Sequence, residues 1–240
     1  MNPRSASLRF LALAFLALPL ALPAADALVV ESMAIGAAEL ALATRLKLIH
    51  KFGTRADNID AAACAQRGVK VTTQRRRSNF AVAEHTMALL LAQARNVALA
   101  DASLRAGRWE RSRFQGTELL GKVLGVIGLG RVGVLVAQRA AAFGMKVMVH
   151  DPFIPAGTIR GAGYEAVVDR DAGLARADIV TVHVPAHEKN RGLVNADFLW
   201  RMKRGAVLIN TARGTLVDEA ALDNALRSGH LAAAGVDVLK

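Results

Sequence analysis

Three glycines in one short stretch of the chain have the spacing of a phosphate-binding loop. They belong to a G-x-G-x-x-G pattern made of Gly128, Leu129, Gly130, Arg131, Val132 and Gly133. In such a loop the first glycine permits a tight turn, the second lets the backbone approach a pyrophosphate, and the third lets helix and strand pack closely. The start of the following helix offers free N–H groups and a partial positive charge to the phosphate. The pattern therefore indicates dinucleotide binding.

The segments on either side of the glycines fit this interpretation. The apolar run 123–127 predicts a buried strand, residues 132–143 have helical spacing, and residues 146–150 predict a second strand. Asp151 follows that second strand, where a carboxylate accepts hydrogen bonds from the adenosine ribose. Its charge would repel a 2′-phosphate, which favours NAD over NADP. A βαβ unit with incidental glycines is the alternative interpretation.

A second group of residues suited to chemistry follows two later predicted strands. Arg213 comes just after the strand 206–210, and Asp237 lies at the end of the strand 233–238. Ligands collect at the carboxyl ends of parallel strands. A guanidinium there binds a carboxylate through two parallel hydrogen bonds, which suits a 2-oxo or 2-hydroxy acid. Asp237 can hydrogen-bond a cofactor amide or ribose. The alternatives are a surface arginine in a turn and a solvated acid at a strand end.

Strands and helices alternate along most of the chain, which is typical of parallel sheets covered by helices. Before the glycine loop, strands are predicted at 27–30, 46–50 and 69–72, and helices at 37–44, 57–67 and 79–99. Ser78 is the expected N-cap of the last helix, which would join two domains, and 101–121 has the composition of a polar linker. After Asp151, strands are predicted at 165–168, 179–184, 206–210 and 233–238, and helices at 197–202 and 218–228.

Composition limits the classes of partner. The 240 residues are 53% hydrophobic, enough for a sizeable core, and carry a net charge of +11. The aromatic content of 5% is too low for a base-stacking platform, and no nucleic-acid motif is visible, so we expect no nucleic-acid partner. Cys64 is the single cysteine, which excludes an intrachain disulfide and a multi-cysteine metal site. We expect Cys64 to be buried on a helix face and the protein to bind no metal.

The first 26 residues form an apolar leader that has two interpretations. A basic start, the short apolar run 10–22 and the small residues after it resemble a secretory signal. The run is too short to span a bilayer comfortably and is interrupted by Pro19, and its length fits a buried core helix as well as a signal. We expect a retained, packed helix with no membrane span and a cytoplasmic location. Export is the alternative.

Several motifs together resemble a known family. LKLIHKFGTRADNID, AVAEHTMALLLAQAR, ELLGKVLGVIGLGRVG, TVHVP, LINTARGTLVDEAAL and AAAGVDVL are similar to segments of the D-isomer-specific 2-hydroxyacid dehydrogenases. The resemblance covers roughly residues 27–239. It implies an α/β protein with a Rossmann-type doubly wound parallel sheet and a smaller, incomplete flavodoxin-like substrate domain, with the active site between them. It also implies hydride transfer between NAD(H) and a 2-hydroxy or 2-oxo acid, and a homodimer. The expected domains are 27–99, with the linker helix, and 100–240.

The resemblance assigns roles by position. Arg213 would be the catalytic residue that holds the substrate carboxylate, and the loop Gly53, Thr54 and Arg55 would offer backbone N–H groups to the substrate. Arg75 begins an arginine triplet that either contacts an anionic substrate or forms a solvated turn. The residues expected at the cofactor are Gly128, Gly130, Arg131, Val132, Gly133, Asp151, His183, Val184, Pro185, Thr211, Ala212 and Asp237.

One departure from the family concerns the proton donor. The family's catalytic Glu and His follow the strand that here ends at Val238, and the sequence stops at Lys240. His85, His183 and His230 are interpreted as structural, because none has a carboxylate at the family's spacing. The expectation is therefore an NAD-dependent dehydrogenase of which this chain alone has little or no turnover. The alternative is a non-catalytic NAD-binding protein, either a degenerate or a truncated family member.

Overall fold

The computed structural model describes residues 10–12, 22–31, 33–53, 56–74 and 78–239, and in residues 10–12 only the backbone. The backbone contacts divide the chain into two units, Met1–Ser78 and Asn79–Lys240. The sequence grouped 79–99 with the first domain, whereas the structure places this segment in the second unit. The reason is packing, because Ala83, Met87 and Leu90 are buried in a core cluster of the second unit.

The first unit contains a four-stranded parallel sheet. Its strands lie in the order β1 (Phe10–Ala12), β2 (Ala27–Val30), β3 (Leu48–Lys51) and β4 (Lys70–Thr73). Two short helices, α1 (Ala37–Leu42) and α2 (Ala61–Gln66), connect the last three strands. The core of this unit includes Leu28, Leu40 and Ile49 together with Cys64, which is 1% exposed. Burial and the nearby Asp60 raise the pKa of the Cys64 thiol, so this cysteine is a packed apolar side chain, as predicted.

The apolar leader differs from its prediction. Residues 10–12 were expected in a helix, but they form a strand that pairs in parallel with Ala27, Leu28 and Val29. An edge strand presents unpaired backbone N–H and C=O groups, and an extended segment satisfies them where a helix would not. The helix prediction is therefore wrong for residues 10–12, while 13–21 lie outside the described residues.

The second unit has a six-stranded parallel sheet with helices on both faces. Its strands are β5 (Val123–Ile127), β6 (Lys146–His150), β7 (Glu165–Ala166), β8 (Ile179–Val182), β9 (Ala206–Asn210) and β10 (Leu231–Val236). They lie in the order β10-β9-β8-β5-β6-β7. Numbered from β5, this is the 6-5-4-1-2-3 order of a Rossmann fold. The order reverses between β5 and β8, so the crevice in which such sheets bind ligands lies at their carboxyl ends.

Two core clusters cover the two faces of this sheet. The helices of the unit are α3 (Ser78–Ala94), α4 (Val97–Arg105), α5 (Arg131–Ala142), α6 (Ala156–Gly161), α7 (Arg170–Arg176), α8 (Ala196–Arg201) and α9 (Glu219–Arg227). One cluster takes side chains from α3, α5 and α6. The other takes Leu174, Phe198 and Leu222 from α7, α8 and α9. The predicted doubly wound α/β class is therefore confirmed.

The long helix predicted at 79–99 is two helices. α3 ends at Ala94, and Asn96 has a left-handed φ of 54° before α4 begins at Val97. Asparagine tolerates this conformation better than most residues. The Asn96 side chain donates to the carbonyl of Gln115 (3.0 Å), and the N–H of Thr117 donates to the carbonyl of Ala94 (2.7 Å). These contacts with residues about twenty positions later stabilise the break, and α4 extends into the predicted linker.

The amino ends of the central strands are held by one carboxylate. Asp178 precedes β8 and accepts hydrogen bonds from the N–H of Val123 (2.9 Å) and from Nζ of Lys203 (2.6 Å). Burial raises the pKa of Asp178, but these two hydrogen bonds outweigh it and keep that pKa below its usual value. The charged form of Asp178 therefore joins β5, β8 and the turn before β9.

Among the described residues, no helix is long and apolar enough to cross a lipid bilayer. The same part of the chain contains no group of three or more His, Cys, Asp or Glu side chains that could hold a metal ion.

Candidate functional site

The glycine loop follows β5, and its three glycines meet three different surroundings. Gly128 has a φ of +94°, and a Cβ atom there would lie 3.0 Å from the carbonyl oxygen of His183. A Cβ atom on Gly133 would lie 2.1 Å from the carbonyl oxygen of Gly128, so the helix packs on the loop with room only for hydrogen. A Cβ atom on Gly130 would meet no atom within 4 Å. The space beside Gly130 is therefore open to a ligand that approaches the backbone.

Helix α5 begins directly at the open glycine. Gly130 is its N-cap and provides no side-chain cap, while Arg131 and Val132 are its first two residues. The first intrahelical hydrogen bond runs from the N–H of Val134 to the carbonyl of Gly130 (3.0 Å). The N–H groups before Val134 have no acceptor within the helix. With the helix dipole, they form a site suited to the pyrophosphate of a dinucleotide.

Asp151 accepts two backbone hydrogen bonds that were not predicted from the sequence. Its Oδ2 accepts the N–H of Leu129 (2.9 Å), inside the glycine loop, and its Oδ1 accepts the N–H of Phe153 (2.9 Å). Each carboxylate oxygen has a further lone pair that can accept from a ribose hydroxyl. Asp151 thus holds the loop in place in addition to the ribose contact that we predict for it.

Asp151→Asn tests the predicted preference for NAD. The substitution keeps an oxygen acceptor for one backbone N–H but removes the charge that opposes a 2′-phosphate. Two unit charges about 4 Å apart near a protein surface interact by about 4 kcal/mol, so we expect the NADH-over-NADPH preference to fall at least about tenfold. Fluorescence titration with both cofactors measures this ratio. An unchanged ratio would show that Asp151 does not discriminate between the 2′-hydroxyl of NADH and the 2′-phosphate of NADPH.

The His183-Val184-Pro185 segment forms the other side of the glycine loop. The N–H of His183 donates to the carbonyl of Ile127 (2.8 Å), and Val184 would contact any side chain at Gly128. Nε2 of His183 lies 2.9 Å from Oγ1 of the buried Thr181. Burial lowers the pKa of His183 to about 4, so its imidazole is neutral at pH 7. Pro185 is exposed at the end of this segment.

The depressed pKa of His183 predicts a loss of stability in acid. The histidine binds its proton near pH 6.5 in the unfolded chain and near pH 4 in the folded protein. Its neutral form therefore contributes fully to the free energy of unfolding above pH 6.5, and this contribution falls as the pH drops towards 4. Through this effect the free energy of unfolding should fall by about 3 kcal/mol. Urea unfolding of the parent and of His183→Gln between pH 8 and 4 measures it, because acid effects on carboxylates are common to both. Parallel curves would contradict this prediction.

A buried asparagine shapes the loop that carries Arg213. Asn210 ends β9, its Oδ1 accepts the N–H of Ala212 (3.0 Å), and its Nδ2 donates to the carbonyl of Arg213 (3.0 Å). The Arg213 side chain is exposed and donates one hydrogen bond to the carbonyl of Ala212 (2.6 Å). Within the described residues no carboxylate forms an ion pair with it. No role was predicted for Asn210 from the sequence, although asparagine before a turn is a known signal.

Helix α3 contacts the ends of β9 and β10. Oγ1 of Thr86 lies 2.8 Å from Oγ1 of Thr211, and both residues are buried. Nε2 of His85 lies 3.3 Å from Oδ1 of Asp237, and both side chains are about half exposed. From the sequence, no role was predicted for Thr86, and a structural role was predicted for His85. No local pattern indicated these contacts, because their partners lie more than a hundred residues apart along the chain.

The structure brings most of the predicted cofactor residues to one edge. At the carboxyl ends of β5, β6, β8, β9 and β10 lie Gly128, Asp151, His183, Thr211 with Arg213, and Asp237, respectively. Gly53 belongs to the first unit, has a φ of +135° and accepts the N–H of Gln74 through its carbonyl (2.9 Å). Thr54, Arg55 and Arg75 lie outside the described residues.

His230 is far from that edge. It precedes β10 at the amino end of the sheet, its Nε2 lies 3.0 Å from the carbonyl oxygen of Leu199, and its ring packs on Trp200 at 4.3 Å between centroids. The side chain is buried, which agrees with the structural role expected for it.

The sheet order, the glycine loop and the acid after β6 together define a dinucleotide-binding α/β unit of the Rossmann type. Residues 87–240 match the family model described as D-isomer specific 2-hydroxyacid dehydrogenase, NAD binding domain. The chain therefore belongs to the D-isomer specific 2-hydroxyacid dehydrogenase family, and its second unit is the NAD-binding domain of that family.

Known relatives agree with this assignment. The chain is 48% identical to D-3-phosphoglycerate dehydrogenase of Mycobacterium leprae, over 91% of its own length and 41% of that protein. It is 41% identical to hydroxypyruvate reductase of Thermotoga maritima, over 91% of its own length and 71% of that protein. D-lactate dehydrogenase from Aquifex aeolicus, solved with NAD and lactic acid, superposes with a TM-score of 0.81 at 32% identity, covering 92% of this chain and 67% of that one. The chain thus spans about two fifths of the phosphoglycerate dehydrogenase.

Proposed function

We propose that the protein is an NAD-dependent oxidoreductase that transfers hydride between NAD(H) and a 2-hydroxy or 2-oxo acid. The observation that carries this proposal is the position of Arg213 at the same sheet edge as the glycine loop, with an exposed guanidinium. A guanidinium at this edge can hold the carboxylate of the acid by two hydrogen bonds. The substrates in the names of the relatives, phosphoglycerate, hydroxypyruvate and lactate, are all acids of this class.

The described residues supply binding and orientation. The first-turn N–H groups of α5 and the carboxylate of Asp151 would hold the pyrophosphate and the ribose, and Thr211 with Asp237 would lie near the nicotinamide. Bound NADH supplies the hydride. Arg213 would fix the substrate carboxylate, which orients the neighbouring carbonyl carbon for hydride transfer.

Reduction of the carbonyl also needs a proton at the developing alkoxide. His183 is poorly suited to provide it, because burial keeps its imidazole neutral at pH 7. His230 is held by Leu199 and Trp200 at the opposite edge of the sheet. Neither histidine is therefore assigned as the acid.

NADH titration and a turnover assay test the proposed function. Quenching or transfer of fluorescence measures cofactor binding, and the absorbance of NADH follows its oxidation with glyoxylate, hydroxypyruvate or phosphohydroxypyruvate. The proposal requires saturable NADH binding and, in a version of the chain extended with a relative's C-terminal segment, NADH oxidation that depends on the 2-oxo acid. Simple aldehydes, which lack the carboxylate, serve as the control substrates. Equal rates with acids and aldehydes would exclude the role of Arg213 in substrate binding.

We also propose that Gly53, Thr54, Arg55 and Arg75 contact the substrate, as the family resemblance implies. In support, Gly53 directly follows β3, has a positive φ and accepts a hydrogen bond from the N–H of Gln74. If the assignment is correct, Arg55→Gln and Arg75→Gln will raise the KM for the acid and leave NADH binding unchanged. An unchanged KM in either variant removes that residue from the substrate site.

A cytoplasmic homodimer is the proposed state of the protein. Large apolar side chains are exposed along α4 and the following turn, notably Leu99, Leu104 and Trp109, which is 80% exposed. Leu104 and Trp109 line one surface cavity, and exposed apolar patches are typical of protein–protein interfaces. Light scattering should show twice the chain mass, and cell fractionation should recover the protein with cytosolic markers. A molecular mass of one chain, with Leu99 and Trp109 accessible to solvent, would contradict the proposed dimer.

A further inference from the structure

Helix α3 makes two polar contacts from consecutive residues. His85 contacts Asp237 after β10, and Thr86 contacts Thr211 after β9. Asp237 is additionally placed by its backbone, because its N–H donates to the carbonyl of Asn210 (3.0 Å). One turn of a helix therefore contacts the ends of two neighbouring strands, at the edge where the cofactor is expected.

The register between helix and strand explains why His85 reaches Asp237. A Cβ atom on Gly235 would lie 3.1 Å from Cβ of Leu89, so the glycine lets α3 pack closely on β10. Leu89 and His85 are four residues apart on one helix face, about 6 Å along the axis. Gly235 and Asp237 are two residues apart on one strand face, about 6.6 Å. The two spacings match, which brings His85 over Asp237 when Leu89 lies over Gly235.

The contacts also determine which lone pairs remain for a ligand. The Thr86 hydroxyl donates to the carbonyl of Val82 (2.7 Å), so the Thr211 hydroxyl must donate its proton to Thr86. Thr211 is then only an acceptor towards anything else. Nε2 of His85 lies next to Oδ1 of Asp237, and Oδ2 accepts no hydrogen bond within the described residues. Two oriented acceptors result, which suits a carboxamide NH₂ group with its two donors.

We propose that His85 is a positioning residue for the nicotinamide end of NAD(H): it fixes the carboxylate of Asp237, which accepts from the carboxamide. This role rests on the proposed function, in which Asp237 lies by the nicotinamide. His85 does not touch the reacting atoms. Its contribution is to keep a half-exposed carboxylate in one orientation, so that less freedom is lost when the cofactor binds.

The experiment compares two ligands that share everything except the nicotinamide. NADH and ADP-ribose are titrated into the whole chain and into His85→Ala, His85→Gln and Glu84→Gln, where the last changes an exposed neighbour on the same helix. We expect His85→Ala to weaken NADH binding about threefold to fivefold and to leave ADP-ribose binding within about 1.5-fold, the size expected for a partly exposed polar pair. His85→Gln, which keeps an N–H donor, should recover most of the NADH affinity, and Glu84→Gln should match the parent.

A double-mutant cycle with Asp237→Asn isolates the pair. Because His85 acts through Asp237, the double variant should bind NADH as weakly as Asp237→Asn alone. Additive losses, or equal losses for NADH and ADP-ribose in His85→Ala, would overturn the role of His85. A parent chain that binds NADH no more tightly than ADP-ribose would instead show that Asp237 is misassigned, and the role of His85 would fall with the proposed function.

Discussion

Gly133→Ala is expected to remove measurable NAD(H) binding and to lower the melting temperature by about 6–12 °C. The added Cβ would lie 2.1 Å from the carbonyl oxygen of Gly128, a backbone atom that cannot move without displacing the loop. Such a clash costs roughly 3 kcal/mol, and each kcal/mol shifts the melting temperature by about 2–4 °C in a chain of this size. Circular dichroism melts and NADH titration measure the two effects.

Gly130→Ala is the matched control in the same loop. No atom lies within 4 Å of a Cβ atom at this position, so only the small cost of alanine at an N-cap remains, and the melting temperature should fall by no more than about 3 °C. NADH binding should still weaken, because the methyl group enters the space that the pyrophosphate needs. If Gly133→Ala keeps the parent's NADH affinity, the close approach of helix and loop is not required for binding.

Arg213→Gln should lower kcat/KM for the 2-oxo acid by about 100- to 1,000-fold. Glutamine removes the positive charge and one of two parallel hydrogen bonds to the substrate carboxylate, and charge-assisted hydrogen bonds are worth about 1.5–3 kcal/mol each. The affinity for NADH should not change, since the glycine loop and Asp151 hold the other end of the site. Steady-state kinetics with NADH and hydroxypyruvate, on parent and variants that all carry the same relative's C-terminal segment, give the ratio.

A second arginine serves as the comparison for Arg213. Arg227 is exposed on α9, and its Nε forms an ion pair with Asp223 (2.6 Å) one helical turn away. Arg227→Gln removes the same charge from the surface without touching the sheet edge, so its kcat/KM should equal that of the parent. Equal losses in the two variants would mean that Arg213 acts only through the overall charge of the protein.

The segments that the sequence predicted well are those fixed by local interactions. The strand, glycine loop, helix and acid from Val123 to Asp151 lie where they were expected, because apolar runs and loop glycines act over a few residues. The break at Asn96 and the strand at 10–12 were missed. Both depend on partners distant in sequence, Gln115 for Asn96 and β2 for residues 10–12.

The same distinction holds for the site. The positions of Asp151, Arg213 and Asp237 at strand ends follow from the alternation of strands and helices. The side chains that hold these residues were not predictable from spacing. Asn210 orders the Arg213 loop, and His85 contacts Asp237 across 152 positions. Such contacts form only when helix α3 packs on the sheet.

The two edges of the large sheet have different roles, which Asp178 at the amino edge and Asp151 at the carboxyl edge illustrate. At the amino edge, the carboxylate of Asp178 accepts hydrogen bonds only from within the protein, from Val123 and Lys203. At the carboxyl edge, acceptors and a guanidinium are held in place but keep bonding capacity. The hydrogen bonds that join the strands at Asp178 therefore involve none of the groups around Arg213 that would bind the acid. A lineage can exchange the groups around Arg213 and acquire a new acid as substrate while the edge at Asp178 keeps the sheet intact.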